Sequence, residues 1–416
     1  GGFVFSDMSG CCDVGAQCYG NNPDTPYGTV MIPPSAGRES ERAVDILDDW
    51  GPIEDGLYRT YRLRPDEALV TFGTLPPKAR YFSFQSYLGS RDQLPRPILG
   101  SLGPALNHLV MEEQRGGPIW GQPGAIVTTL DADVEADVRQ ALVAAGWPEE
   151  HIHADRITGS VVRPGLDAPS DTFFVATRLA LFDDPEAGAA YLADPALRVL
   201  RLTPEVEREW TRPWPWPELP ERGSGTPEPD ALRAARDRVA QAILDTLEDR
   251  PTVAVPSFVY WAETLQCIAT NICAGDIRDR YTSNSPQFVL APGEAVISVG
   301  VNHERTGRAS YSSATVQTSL EGRGIVSLSS PDMPGSARPW LPDDPLADDL
   351  FVWFVARDCS EWPQPCTELG TDCPELGANA QANVLYRAYL EPSTGAAPIA
   401  AEMIPEIAIK VGVAGP

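Results

Sequence analysis

Eight cysteines in three clusters limit what this 416-residue chain can fold into: Cys11, Cys12 and Cys18; Cys267 and Cys273; Cys359, Cys366 and Cys373. Zinc fingers and ribbons need short Cys-x-x-Cys pairs, and none is present. Spacings of six and seven residues, one adjacent pair and an even count suit disulfides, which persist in oxidising compartments. If Cys267 pairs with Cys273, each three-cysteine cluster keeps one thiol over, and the expected partner of each is the other. Such a bridge between the first and last clusters removes about 4–5 kcal/mol of unfolded-chain entropy. The expected location is therefore outside the cytosol: secreted, periplasmic or at the cell surface. The start Gly1-Gly2-Phe3 lacks the basic and apolar regions of an export signal, which is expected to have been removed. No Asn-x-Ser/Thr sequon with an allowed middle residue occurs, which favours a bacterial source.

Within that frame the hydrophobic pattern reads as mainly β with a small α/β insertion: two β-sandwich-like domains crosslinked by disulfides. The expected boundaries are a Cys/Gly/Pro-rich arm over 1–35, a β domain over 36–208, a Pro/Trp-rich linker over 209–229 and a helix plus β-rich domain over 230–416. Residues 57–63 and 67–73 read as strands. In Ala79–Leu88, Phe82, Phe84 and Leu88 share one face and Tyr81, Ser83, Gln85 and Tyr87 the other. Gly124–Leu130, an amphipathic helix Ala132–Ala145 capped by Asp131, and His151–Ile157 make a βαβ-like insertion over about 124–157. Asp171–Phe182 reads as a strand, and Asp230–Glu248 as a helix with Leu232, Val239, Ile243 and Leu247 on one face. Ala295–His303 and Ala309–Leu320 read as a hairpin joined by Glu304–Arg308. Leu350–Arg357 is apolar on both faces, as a central strand is. No repeat of 20–50 residues is visible.

Charge narrows the partners. With 58 acidic and 32 basic residues the chain carries −26, a sign that repels phosphate backbones, so nucleic acid is not an expected partner. No apolar run approaches the roughly 18 residues that span a bilayer. Lysine occurs only at Lys78 and Lys410, neither in a context that suggests a Schiff base. The sequence fixes no oligomeric state.

Three constellations carry candidate chemistry. His151, His153 and Asp155 stand at i, i+2 and i+4, so on a strand all three face one way, as a divalent metal requires. This run resembles the metal-binding loop of metallo-β-lactamase-like hydrolases, but Arg156 replaces the histidine that would follow. Only His108 and His303 remain elsewhere, too few for that family's full ligand set. His303 ends a strand at the rim of an apolar face, where Glu304 or another carboxylate would orient it as a general base beside Tyr311. Tyr81, Gln85 and Tyr87, with Arg178 mid-strand on an apolar face, make a polar-aromatic surface suited to a small molecule or glycan.

Motifs for a nucleophile elbow, a P-loop, a dinucleotide fold, a zincin or an EF-hand are absent. The leading expectation is a binding or surface protein for a small molecule or glycan. The alternative is a secreted hydrolase using His303 as base, metal-assisted at His151 and His153.

Overall fold

The computed structural model describes residues 1–6, 22–23, 25–37, 54–91, 98–259, 264–270, 273, 275–319, 322–369 and 380–413. The protein is mainly β, with 37% strand against 18% helix. The chain divides into two compact units, one formed by Gly1–Asp7, Thr25–Pro220 and Ala262–Arg278, the other by Met8–Asp24, Glu221–Trp261 and Asp279–Pro416.

The first unit contains β1 (Gly2–Ser6), β2 (Tyr27–Met31), β3 (Ala68–Thr74), β4 (Ala79–Ser90), β5 (Gly100–Ser101), β6 (Leu106–Asn107), β7 (Pro123–Thr129), β8 (Ile152–Arg156), β9 (Thr172–Phe182) and β10 (Leu197–Leu202). Its helices are α1 (His108–Arg115), α2 (Ala132–Ala144) and α3 (Pro185–Ala193), with a short helix over Thr264–Thr270 in its last segment. Sheet A runs β1-β2-β9-β4-β5 with β6 on β4, and sheet B runs β10-β3-β7-β8. Phe82, Phe84 and Leu88 from sheet A meet Leu69, Ile126 and Val199 from sheet B in one core, as the alternation in β4 requires. The other face of sheet B packs Val70 and Val127 against Val134 and Val138 of α2.

The insertion forms because β8 pairs in parallel with β7, and a parallel pair needs a crossover, which α2 supplies. Asp131 caps α2, accepting from the backbone N–H of Asp133 at 2.7 Å and Val134 at 3.3 Å. The proline-rich stretch lies against this insertion: Trp214 donates its N–H to the Leu130 carbonyl, and its own carbonyl accepts from Gly159. The run 57–63, expected as a strand, instead makes two isolated bridges, Tyr58 to Ile32 and Tyr61 to Phe173.

The second unit contains β11 (Thr252–Pro256), β12 (Phe258–Val259), β13 (Arg280–Asn284), β14 (Phe288–Val289), β15 (Ala295–Val301), β16 (Tyr311–Thr318), β17 (Gly324–Ser329), β18 (Leu350–Ala356), β19 (Cys366–Glu368), β20 (Gln381–Tyr389) and β21 (Ile407–Val411), with helix α4 (Asp230–Thr246). Sheet C runs β11-β21-β15-β18-β19, and sheet D runs β12-β13-β20-β16-β17 with β14 on β20. β18 is apolar on both faces because both are covered. Phe351, Trp353 and Val355 pack on Ala314, Val316 and Val384 of sheet D. Leu350, Val352 and Phe354 pack on Leu232, Val239 and Ile243 of α4.

The expected hairpin over 295–320 does not form. β15 is flanked on both edges by β18 and β21, so β16 crosses into the other sheet and pairs with β17 and β20. Two disulfides fall in described residues: Cys267–Cys273, the local pair considered above, and Cys359–Cys366, a pairing within the last cluster that the sequence left open. Cys11, Cys12, Cys18 and Cys373, and with them the bridge between the chain ends, lie outside the described residues.

The two units repeat one topology. Replacing β1, β2, β9, β4 and β5 of sheet A by β12, β13, β20, β16 and β17 gives the order of sheet D. Replacing β10, β3, β7 and β8 of sheet B by β21, β15, β18 and β19 gives sheet C apart from β11. Every pair of neighbours keeps its direction, including the parallel pairs β7–β8 and β18–β19. Registers agree as well. Arg178 stands between Tyr27 and Ser83, and Arg387 between Thr282 and Ser313. Earlier on the same strands, at equal spacing (173 to 178, 382 to 387), Phe173 bridges Tyr61 and Ala382 pairs with Phe288. The parallel crossover differs in its fastening: α2 fills it in the first unit, whereas the Cys359–Cys366 disulfide closes it in the second. A loop of that size is stabilised by about 2 kcal/mol when crosslinked.

Candidate functional site

The outer face of sheet A, turned away from the sandwich core, collects the first unit's polar-aromatic side chains. Tyr81, Ser83, Gln85 and Tyr87 project from β4, and Phe174, Ala176 and Arg178 from β9. The sequence suggested a half-buried strand, yet Tyr81, Gln85, Tyr87 and Arg178 are all buried. Part of the cover comes from Cys273 and the run Gly275–Arg278, which lie beside β5. Cys273 N–H donates to the Ile98 carbonyl, and Gly275 N–H to that of Leu99. Ser101 fixes the Asp276 carboxylate through its N–H at 2.9 Å and its hydroxyl at 2.7 Å. The Tyr87 hydroxyl reaches the Asp276 carbonyl at 2.8 Å and Gln85 Oε1 at 3.0 Å, and Gln85 donates to Gly103.

Arg178 lies between two rings on this face. Its guanidinium carbon is 5.5 Å from the ring centres of both Tyr27 and Tyr87, and Nη2 is 3.4 Å from the Gly275 carbonyl. Arginine suits the place because its flat cation stacks on aromatic faces and never loses its proton. Beside it, the Ser83 hydroxyl is fully buried and has no hydrogen-bond partner among the described residues. A buried hydroxyl left unsatisfied costs about 1–3 kcal/mol.

The histidine–aspartate run is not assembled as a ligand set. His151 falls in the turn before β8, so strand alternation does not reach it. His153 Nδ1 is 2.7 Å from Gln114 Oε1, and burial, aided by Arg139 and Arg115, lowers its pKa to about 4. Asp155 points into the sandwich, accepting from the hydroxyls of Ser86 at 2.5 Å and Thr128 at 2.8 Å. Among the described residues the sole trio with ligand atoms within 4.8 Å is Cys267, Cys273 and Asp276, where the sulfurs are already bonded to each other. Burial raises the Asp155 pKa, with the Ser86 and Thr128 hydrogen bonds opposing it. Its stabilising contribution therefore falls as pH rises above the ordinary carboxylate value. Asp155→Asn should leave the urea midpoint at pH 7 unchanged or raised, by up to about 1 kcal/mol; a lowered midpoint would mean that the charge itself is needed.

His303, offered as a general base, sits just after β15 and is buried between two carboxylates that the sequence did not connect to it. Nδ1 is 2.8 Å from Glu228 Oε1. Nε2 lies 3.5 Å from Glu406 Oε1, an ionic contact without hydrogen-bond geometry. Burial alone would lower the histidine pKa, but Glu228, with help from Glu406, raises it to about 10. The ring is thus an imidazolium at neutral pH, with no lone pair to accept a proton. Glu228 also accepts from Ile404 N–H and the Thr306 hydroxyl, each at 2.8 Å. Glu406 accepts from Ser257 at 2.8 Å and Ser283 at 2.9 Å. The cluster ties together the start of α4, the turn after β15 and the entry to β21.

The neighbours named with His303 turn elsewhere. Glu304 accepts from the Ser330 hydroxyl at 2.5 Å. Tyr311 stacks on Tyr389 with ring centres 5.5 Å apart, and its hydroxyl accepts from Asn22 at 2.5 Å. Nothing local in the sequence marks Glu228 or Glu406 as partners of His303. Glu228 closes the proline-rich stretch and Glu406 precedes the last strand.

No family model and no curated protein matches the chain. Two solved structures are similar in outline. One is an uncharacterized protein from Burkholderia cenocepacia, at 13% identity and a TM-score of 0.43, covering 99% of this chain and 81% of that one. The other is the VPA0106 protein from Vibrio parahaemolyticus, at 10% identity and a TM-score of 0.39, covering 85% of this chain and 88% of that one. At these scores neither carries an argument about function.

Proposed function

We propose that this is a non-catalytic binding protein acting outside the cytosol, which holds a small hydroxylated ligand, such as a sugar, against the outer face of sheet A. The supporting observation is the Ser83 hydroxyl, buried beside Tyr81, Gln85 and Arg178 and lacking a hydrogen-bond partner among the described residues. A ligand hydroxyl placed there satisfies that group while tyrosine rings cover its apolar surface. The repeated topology adds weight: both units keep a serine opposite a buried arginine at the centre of the equivalent sheet. Disulfides in both units support an oxidising location, and no described helix is long and apolar enough to cross a membrane.

The test is a thermal-shift panel of mono- and disaccharides, repeated on Ser83→Ala and Tyr87→Phe. These variants remove one hydroxyl each; truncation of the fully buried tyrosines to alanine would instead damage the fold. At least one sugar should raise the wild-type melting temperature at millimolar concentration. Ser83→Ala should weaken its binding by roughly tenfold, about one hydrogen bond's worth. No stabilising sugar, or equal affinity in Ser83→Ala, overturns the proposal.

A further inference from the structure

The two units hold the same pair of side chains in different company. Tyr81 and Ser83 project from β4, and Tyr311 and Ser313 take the same places on β16. Each serine faces the buried arginine of its sheet, Arg178 or Arg387, and each tyrosine stands two residues before its serine. In the second unit an amide bridges the pair. Asn22, which belongs to that unit and is fully buried, donates from Nδ2 to the Tyr311 hydroxyl at 2.5 Å and to the Ser313 hydroxyl at 3.4 Å. Its Oδ1 has no hydrogen-bond partner among the described residues, so the bonds that fix this amide run from its N–H side. In the first unit the Ser83 hydroxyl is just as buried but has no such donor among the described residues. One neighbour differs as well. Tyr389 stacks on Tyr311, whereas Ala180 stands across from Tyr81, so a methyl group takes the place of a ring.

We propose that the ligand on the outer face of sheet A presents an amide N–H to Ser83, as Asn22 does to Ser313, and is an N-acetylated amino sugar. This rests on the ligand-binding reading given above and narrows it to one chemical class. The acetamido group fits on three counts. It is a donor: the group that fills the equivalent place in the second unit gives its N–H to the serine, and a secondary amide keeps one N–H in the same planar frame. It is neutral: the free amine of an amino sugar is a cation at neutral pH, and Arg178 already sets a permanent cation on this face. Its methyl is apolar, which suits the side of the sheet where Ala180 replaces a tyrosine ring. The amide oxygen carries the partial negative charge that a neighbouring guanidinium favours.

The test is calorimetric titration of the intact protein with N-acetylglucosamine, glucose and N-acetylglucosamine methylated on its amide nitrogen. N-acetylglucosamine should bind roughly tenfold more tightly than either of the others, about one hydrogen bond's worth, and Ser83→Ala should erase the difference. Glucose that binds as tightly as N-acetylglucosamine, and weakens equally on Ser83→Ala, overturns this inference and leaves the broader ligand reading standing. Failure of every sugar to bind overturns both. A second measurement needs no sugar. Asn22→Ala removes the amide from the second unit, and acetamide should raise the melting temperature of that variant relative to its effect on the wild type. N,N-dimethylacetamide, which has no N–H, should not. Equal responses to the two amides overturn the inference, because the tyrosine–serine pair then shows no preference for an N–H donor.

Discussion

His303→Leu should lower the stability of the second unit by about 3–5 kcal/mol, the usual cost of removing one partner from a buried ion pair. The substitution leaves Glu228 and Glu406 buried without the cation that lies between them. It also leaves three chain segments without their common tie. The pH dependence separates this from ordinary loss of packing. An unfolded histidine titrates near 6.5, and the folded His303 near 10. Its contribution is therefore complete below about pH 6.5 and is lost as pH climbs through 10. Glu228 sets the acid limit. Burial opposes its charge, but His303 and the hydrogen bonds hold its pKa below the ordinary 4.5, so its contribution fades as pH falls below that value. Urea midpoints of the wild type should fall between pH 7 and 10, while those of His303→Leu should stay flat and low. A wild type with constant stability across that range would show that the imidazolium does not hold the cluster together.

Local chemistry was legible in the sequence and long-range pairing was not. β4, the β7–α2–β8 insertion with its Asp131 cap, and β18 follow from periodicity and capping, which act within a few residues. Alternation also marks β15 and β16 as strands, but it does not say which sheet a strand joins, and the glycine-containing loop between them suits a crossover as well as a hairpin. The tyrosine face was visible as a pattern, whereas its burial depends on the distant segment after Cys273. The topological repeat left too little in the sequence to see. Serine and arginine recur at one cross-strand position, but Tyr27 is matched by Thr282 and Ala180 by Tyr389. Backbone pairing survives such changes because it needs only the alternation and not the residue. His303 shows the same limit: its terminal strand position was readable, but Glu228 and Glu406 reach it only through the fold.

Glu67→Leu should cost about 3–5 kcal/mol in the first unit, for the same physical reason but with a different remedy. Glu67 is fully buried and takes both Arg201 Nη2 at 2.8 Å and Nε at 3.2 Å. It also accepts from Ser35 at 2.5 Å, Thr203 at 2.6 Å and the Arg64 N–H at 3.0 Å. Burial opposes its charge, yet Arg201 keeps its pKa below the ordinary value, so acid should weaken this unit too. If the penalty of Glu67→Leu comes from stranding the Arg201 cation, then Glu67→Leu combined with Arg201→Met should recover most of it. Two apolar side chains of similar volume often replace a buried pair at little net cost. If instead the carboxylate matters as the acceptor that gathers Ser35, Thr203 and Arg64 around the start of β3, the double variant should be as unstable as the single one. Urea midpoints of the wild type, Glu67→Leu and the double variant, with unchanged m-values, decide between a charge that needs its partner and an acceptor that organises its loops.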